Sequence, residues 1–486
     1  MKLPSLALAL LAGLPGPSPA DDARGLLRIN TTIQTFDTAQ PWELDPPRQR
    51  RGLGALLPGK RIITTGEMAA NSTYIELESA DGIHTTPGKV LAIDYEANLA
   101  LLAPESDPAG TWLDTIGELE VNGPVNTGDE VQIWQLEENG DAINTTGTVR
   151  SVDLISTFVP GHYFLAYEVK ASLQSASSSY TVPVTREGKL LGVLTSYDSK
   201  DQISDIIAPE IISAFLEDVE DGVYNGFPSL GIASILTEDP PFRQWLGLDA
   251  YEGGLYISRV LPESAAAKCG LKEGDVLLAV GDQFIDRRGY YVHPRYGRLF
   301  WSHLIRGSRM VGETLSLLIH RDGDERRLEA ALERAVEPLI PAHMHDRPPP
   351  YLVKGGLVFQ ELSRQYFEAF GKEWQQRAPL NLLDALHNPE DYEEGRRRLV
   401  FLSRVIPTPA TIGYDDVSNQ IISEVNGRKV EDMASLAAAF RQPVDGLHTI
   451  RIDDVPYVLY LDPRLSDFVD GKLLEAGLPS LQRLGD

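Results

Sequence analysis

Five stretches of the 486-residue chain hold residue types that could do chemistry. Cys269 is the single cysteine, which excludes an intrachain disulfide, and its setting in Ala-Ala-Lys-Cys-Gly-Leu reads as a small core residue rather than a nucleophile. His343 and His345 with Asp346 could be drawn as metal ligands. No further ligand follows at a fixed spacing, and the run from His343 closes on Pro348-Pro-Pro350, so it reads as a stiff, solvated connector. No metal or cofactor is expected. Ser175-Ala-Ser-Ser-Ser179 reads as a serine-rich loop whose hydroxyls serve turn chemistry. Gly253-Gly254-Leu255-Tyr256-Ile257 and Gly355-Gly356-Leu357-Val358-Phe359 repeat one pattern about a hundred residues apart, each opening an apolar run.

These residues need elements to position them. From Leu26 to about Leu216 the pattern predicts short alternating strands with hairpin turns. Thr73 to Glu78 alternates, Asp81-Gly82 turns, Lys89 to Ile93 returns, and Asn98-Leu-Ala-Leu-Leu follows. Glu130–Leu136, the Asn139-Gly140 turn, Ile143–Ile155, Tyr163–Val169 and Lys189–Ser196 repeat the design, which fits two small barrels. Pro209 to Val219 has a leading proline and apolar i, i+3, i+4 spacing, the signature of an amphipathic helix. Further on, 362–376 and 388–399 read as helical insertions, the latter running from an acidic start to Arg396-Arg-Arg398 as a helix dipole favours.

Lys and Arg total 44 against 70 Asp and Glu, a formal charge of −26, so nucleic acid and anionic lipid surfaces are poor partners. Lys2, the apolar run Leu6–Leu14 and the small residues Ser18-Pro-Ala20 read as a signal peptide over 1–20. No later stretch has the length of a membrane span. A secreted or periplasmic chain is expected, and Asn30, Asn71 and Asn144 stand in glycosylation tripeptides that the sequence leaves open.

A wider set of motifs runs in order along the chain. Pro41-Trp42, Arg51-Gly-Leu-Gly54, Arg61-Ile-Ile-Thr-Thr-Gly-Glu67 and Asn98-Leu-Ala-Leu-Leu102 occupy the first part. Asp221 to Gly231, Arg259-Val-Leu-Pro-Glu-Ser-Ala-Ala266 and Lys272-Glu-Gly-Asp-Val-Leu-Leu278 occupy the second, and Tyr351–Leu362, Ile412-Gly-Tyr414 and Val425-Asn-Gly427 the third. From about Arg28 to Leu461 this order and spacing resembles the Deg/HtrA serine proteases in their plant-type, two-PDZ arrangement. The resemblance implies a mainly β fold: a trypsin-like double β-barrel (21–220), two PDZ-like α+β domains (221–345 and 346–465) and a tail (466–486). It also implies a role in protein quality control and a trimer-based homo-oligomer built around Phe36 and Trp42. PDZ domains bind chain termini by strand addition, with backbone N–H groups of a glycine-rich loop receiving the carboxylate. Gly254, Leu255, Tyr256 and Ile257, and Gly356, Leu357, Val358 and Phe359, are the residues the resemblance assigns to binding peptides or protein C-termini.

Departures from the family pattern decide the expected activity. A serine protease needs a base hydrogen-bonded to the nucleophile and a buried carboxylate that orients it. The resemblance puts Glu67 at the histidine position, Asn98 at the aspartate position and Ser178 at the nucleophile. A glutamate is ordinarily about two units less basic than imidazole, and Asn98 carries no charge. By the resemblance, Ala176, Ser179 and Tyr180 stand at glycine positions around Ser178, where glycine's freedom would aim two N–H groups at the oxyanion. The expectation is a peptide-binding pseudoprotease scaffold, not an enzyme. The alternatives are a serine endopeptidase using Ser178 with a non-standard base such as Glu67 or Lys170, or a regulatory subunit of an active paralogue. Alternation turns Lys170 outward.

Overall fold

A computed structural model describes residues 25–106, 111–137, 139–173, 181–307, 309–453 and 457–485. Residues 1–20, expected to be a signal peptide, lie outside them. Six strands close the first barrel in the order β1-β2-β3-β6-β5-β4: β1 (Leu26–Ile33), β2 (Arg48–Leu57), β3 (Arg61–Thr64), β4 (Ser72–Ser79), β5 (Thr85–Asp94) and β6 (Leu99–Pro104). The short helix α1 (Gly66–Ala69) joins β3 to β4. Six more close the second in the order β10-β11-β12-β9-β8-β7: β7 (Glu130–Leu136), β8 (Ala142–Ile155), β9 (Phe164–Lys170), β10 (Val182–Arg186), β11 (Lys189–Asp198) and β12 (Ile203–Ile207). Period-2 alternation drives both: Ile75, Leu77 and Ser79 of β4 point inward while Tyr74 is exposed.

One apolar cluster spans both barrels, joining Leu53, Ala55 and Leu57 to Val131, Val182, Val184 and Val193. The helix α2 (Pro209–Asp218) seals the second barrel with Ile211, Ile212 and Phe215, all 0% exposed. Each such side chain contributes roughly 1.5–3 kcal/mol by burial.

The next unit begins with β13 (Pro228–Ser229) and β14 (Ile232–Ile235), followed by α3 (Pro240–Trp245), β15 (Leu255–Val260), α4 (Ala265–Lys268), β16 (Val276–Val280) and β17 (Gln283–Phe284). A hairpin of β18 (Tyr290–His293) and β19 (Gly297–Phe300), the helix α5 (His303–Arg306), and β20 (Thr314–Arg321), β21 (Asp324–Ala331) and β22 (Glu333–Arg334) complete it. Its main sheet runs β14-β15-β16-β20-β21. Cys269 packs half-buried against this core, where burial raises its thiol pKa, as a structural cysteine should.

A second α+β unit contains β23 (Tyr351–Lys354), β24 (Leu357–Glu361), α6 (Arg364–Glu368), α7 (Trp374–Arg377), α8 (Leu380–His387), β25 (Val400–Val405), β26 (Gln420–Val425) and β27 (Arg428–Lys429). It ends with α9 (Met433–Ala439), β28 (His448–Ile452), β29 (Val458–Leu461), α10 (Pro463–Glu475) and β30 (Gln482–Arg483), and its sheet runs β29-β28-β26-β25-β24-β23-β30. The helix expected over 388–399 is displaced. It forms earlier, as α8, and Pro389–Asp391 is a single 3-10 turn. Arg396, Arg397 and Arg398 then pair with Asp453, Asp432 and Glu337 instead of completing a helix dipole.

Among the described residues no helix is long and apolar enough to cross a membrane. The architecture is mainly β, a double barrel followed by two α+β units.

Candidate functional site

At the first barrel's rim, α1 crosses beneath the turn between β5 and β6. Gly66 opens α1 because a Cβ there would lie 2.9 Å from the Asp94 carbonyl oxygen. Asn98 closes the turn at φ 55°, a left-handed conformation that asparagine tolerates better than most residues. Its Oδ1 accepts the Glu67 N–H at 2.9 Å. Glu67 and Asn98 are thus adjacent, but the asparagine holds the helix backbone rather than the glutamate head. Asn98 is 2% exposed. The Glu67 side chain is 45% exposed, with Arg50 Nη2 at 3.7 Å from its Oε1, and Arg50 also donates to the Glu67 carbonyl. Next to this pair, Asp94 is buried, accepts from Ala97 N at 2.6 Å and from the Tyr224 hydroxyl, and has its carboxyl pushed up by burial.

Ser178, with Ala176, Ser179 and Tyr180, lies outside the described residues. The chain resumes at Thr181, whose carbonyl accepts the Leu53 N–H at 3.0 Å and whose hydroxyl meets Thr65 Oγ1 at 3.1 Å. The strand that follows the nucleophile position is therefore tied to the first barrel beside α1. Lys170 faces outward, as alternation predicts, and donates to the Asp201 carbonyl.

The glycine pairs have a different job from the one expected. Leu255, Tyr256 and Ile257 lie in β15, which is paired on both sides, with β14 and β16. A Cβ on Gly253 would sit 1.9 Å from the Ile285 carbonyl, and the Gly254 N–H is spent on that same oxygen at 2.9 Å. In the second unit Leu357, Val358 and Phe359 are 0% exposed in β24, between β23 and β25. Gly356 O accepts Ile406 N at 2.7 Å, and Gly355 N donates to Asp470 Oδ1 at 2.6 Å. Both loops are close-approach points behind interior strands, so neither offers a free edge to a peptide.

The first unit's sheet ends in β14 on one side and β21 on the other, and the edge next to the glycine pair's strand belongs to β14. It pairs with β15 alone, and among the described residues no strand takes its other side. Ile235 is exposed at its end, opposite Tyr256, against which Phe242 of α3 packs edge-to-face. The corresponding position in the second unit, β23, is covered: β30 pairs with it, and Val353 N donates to Leu481 O at 2.7 Å. Phe36 and Trp42 are used inside the chain as well. Trp42 packs on Tyr351 with centroids 5.6 Å apart, and the Arg483 guanidinium lies over Phe36.

The connector, expected to be solvated, is only partly so: His343, Met344 and His345 are half-buried, whereas Asp346, Arg347 and Pro348 are exposed. His343 and His345 stack on each other and against Tyr95, and Phe158 stacks on His345. Asp346 and Asn71 exchange bonds, Asn71 N to Asp346 Oδ1 at 2.7 Å and Asp346 N to Asn71 Oδ1 at 2.8 Å. Tyr95 donates to the same carboxylate. Sequence reasoning missed this junction because its partners lie more than 170 positions away in sequence; the doublet of histidines around a methionine was the only local signal. Among the described residues no group of three or more His, Cys, Asp or Glu could hold a metal ion.

Comparison with known proteins fits this arrangement. Residues 236–287 and 340–466 each match a PDZ domain family. Protease Do-like 4, mitochondrial, from Arabidopsis thaliana is 27% identical over 417 residues, covering 84% of this chain and 76% of the relative. Protease Do-like 2, chloroplastic, from the same plant is 25% identical over 473 residues, covering 96% and 76%. A solved structure of a variant of the HtrA-type protease AlgW with a decapeptide, 18% identical, shares the fold with a TM-score of 0.50 over 65% of this chain and 97% of that one.

Fold and matches together define a trypsin-like double barrel followed by two PDZ domains. Along most of its length the chain is similar to proteases of the Do-like type, and it carries two PDZ domains. The expectation that it is not an enzyme is overturned by these relatives, which are named as proteases and align along most of its length. Substitution at Glu67 and Asn98 weighed the local chemistry alone, and that was too narrow a basis for excluding activity.

Proposed function

We propose that the chain captures extended peptide segments along β14 of its first PDZ domain and cleaves them as a serine-type endopeptidase. Ser178 is the nucleophile in this reading, and Glu67 is the base. The open edge of β14 is the observation that carries peptide capture, since its unpaired backbone groups can add one more strand. Support for cleavage comes from the relatives named as proteases and from the retained scaffold of the site, in which Asn98 holds the Glu67 backbone and Thr181 is tied beside α1. A carboxylate accepts the serine proton less readily than imidazole does, so turnover is slow compared with an Asp-His-Ser relay. Secretion by residues 1–20 and assembly into a trimer-based homo-oligomer complete the proposal.

A fluorophosphonate probe that labels activated serines tests it on the purified chain. The expected result is slow labelling that disappears in Ser178→Ala and drops at least tenfold in Glu67→Gln. No labelling of a folded sample, or equal labelling of Ser178→Ala, overturns the assignment of the nucleophile. Unchanged labelling of Glu67→Gln overturns the assignment of the base.

A further inference from the structure

The connector joins three parts of the molecule at one point. Its histidines rest on Tyr95 of the first barrel and Phe158 of the second. Beside them, Arg306 of α5, from the first PDZ domain, pairs with Glu96 at 3.0 Å, and His162 of the second barrel reaches the same carboxylate at 2.9 Å. Tyr95 and Glu96 belong to the turn that ends at Asn98. The connector therefore grips, through Asp346 and Tyr95, the segment that holds the Glu67 backbone.

The grip accepts only neutral rings. His343 Nδ1 is buried with no hydrogen-bond partner among the described residues, and Asn71 Nδ2 lies 3.2 Å from His345 Nδ1 as a natural donor to an unprotonated nitrogen. An added proton on His345 would turn this donor–acceptor contact into a donor–donor clash, and a charge on His343 would be buried without an acceptor.

We propose that residues 343–347 form an acid-released latch: protonation of His343 and His345 lifts the connector from the barrels and frees the turn carrying Asn98. Charged groups around the rings set the direction. Desolvation is the largest influence on both; His345, His162 and Arg347 further oppose a charge on His343, Arg50 opposes one on His345, and Glu96 alone favours one on His343. Glu96 stays ionised, its own carboxyl held down at about 2 by His162 and Arg306 against its desolvation. Asp346 accepts from Asn71 and Tyr95, the same residues that contact the rings. Both imidazoles are pushed down to about 4, whereas a released histidine titrates near ~6.5. Above that pH the latch is indifferent to acid. Between it and about 4 the released form binds more protons, so opening is favoured by up to about tenfold per pH unit for each histidine.

Amide hydrogen exchange on the full chain, corrected for intrinsic rates, tests the latch. Between pH 7.5 and 5.0, protection at Asp346 and at Glu67 should fall at least tenfold while β9 and β12 stay protected. His343→Phe/His345→Phe keeps the stack and removes the protons, and its connector protection should not change with pH. Should that variant misfold, Asn71→Ala serves instead, and should expose the connector already at pH 7.5 with both barrels intact. Constant protection of the wild-type connector down to pH 5.0 overturns the proposal. So does the same pH dependence in the double variant, or a connector that stays protected in Asn71→Ala.

Discussion

The two PDZ domains share a strand pattern but not a surface. In the first, β14 is an edge with an exposed Ile235 at its end. In the second, β23 carries the chain's own β30, with Tyr351, Val353 and Val358 packed against Leu473, Leu478 and Leu481. A sheet edge presents unpaired N–H and C=O groups that must find a partner or meet water. On this side of the sheet one domain leaves that requirement to an external strand, and the other meets it with its own β30. A domain's name therefore does not say whether it can bind; the state of one edge does.

The strongest way to break this contrast is to uncover β23. Ending the chain after Gly477 removes β30 and the Leu478 and Leu481 contacts, which should lower stability by roughly 2–4 kcal/mol in urea unfolding. In hydrogen exchange, an extended apolar peptide should protect β14 but not β23 in the full chain, and both in the shortened one. Protection of β23 in the full chain would erase the distinction.

Acid separates the domains less strongly. Burial holds His303 of the first domain at about 4, within 2.6 Å of the Tyr291 hydroxyl. The unfolded chain takes up this proton below about 6.5 and the folded one resists it, so stability is full above that pH and falls toward 4. Of the unfolding stability lost at pH 5 relative to pH 7.5, His303 should account for about 2 kcal/mol, and His303→Gln should reduce the loss by that amount while the share of His343 and His345 stays. His448 in the second domain is lowered in the same direction, burial again being the main cause, and His448→Gln sharpens the comparison if its effect is the smaller. The smallest change is Arg483→Ala. Its guanidinium lies over Phe36 and Tyr351 and donates to Pro41 O and Pro349 O, and its loss should cost about 1 kcal/mol by thermal unfolding, with the peptide response of β14 unchanged.

Local pattern accounts for much of the architecture. Alternation and turn pairs placed β4, β5 and β6 of the first barrel and β7, β8, β9 and β11 of the second to within a few residues, and Pro209 with its apolar spacing placed α2. What the pattern could not convey is pairing between distant segments. Leu255 and Leu357 read as strand openings, which they are, but whether a strand is interior or edge depends on neighbours chosen by the whole sheet. The connector failed for a related reason: a polar, proline-bounded run resembles a linker until Tyr95 and Phe158 are brought against it. Glu67 and Asn98 were legible as neighbours, whereas the bond that joins them uses a backbone N–H that no side-chain motif encodes.

The contact between Arg483 and Pro41 also has a consequence for synthesis. The two residues are 442 positions apart, and a ribosome adding roughly 5–20 residues per second takes about 20–90 s to cross that span. Throughout this interval Phe36 has emerged while Arg483, which lies over it, does not yet exist, and for most of it Trp42 waits for Tyr351. The nascent first barrel thus presents an aromatic side chain that only the last part of translation can cover, and apolar surface left open for so long is a route to misassembly.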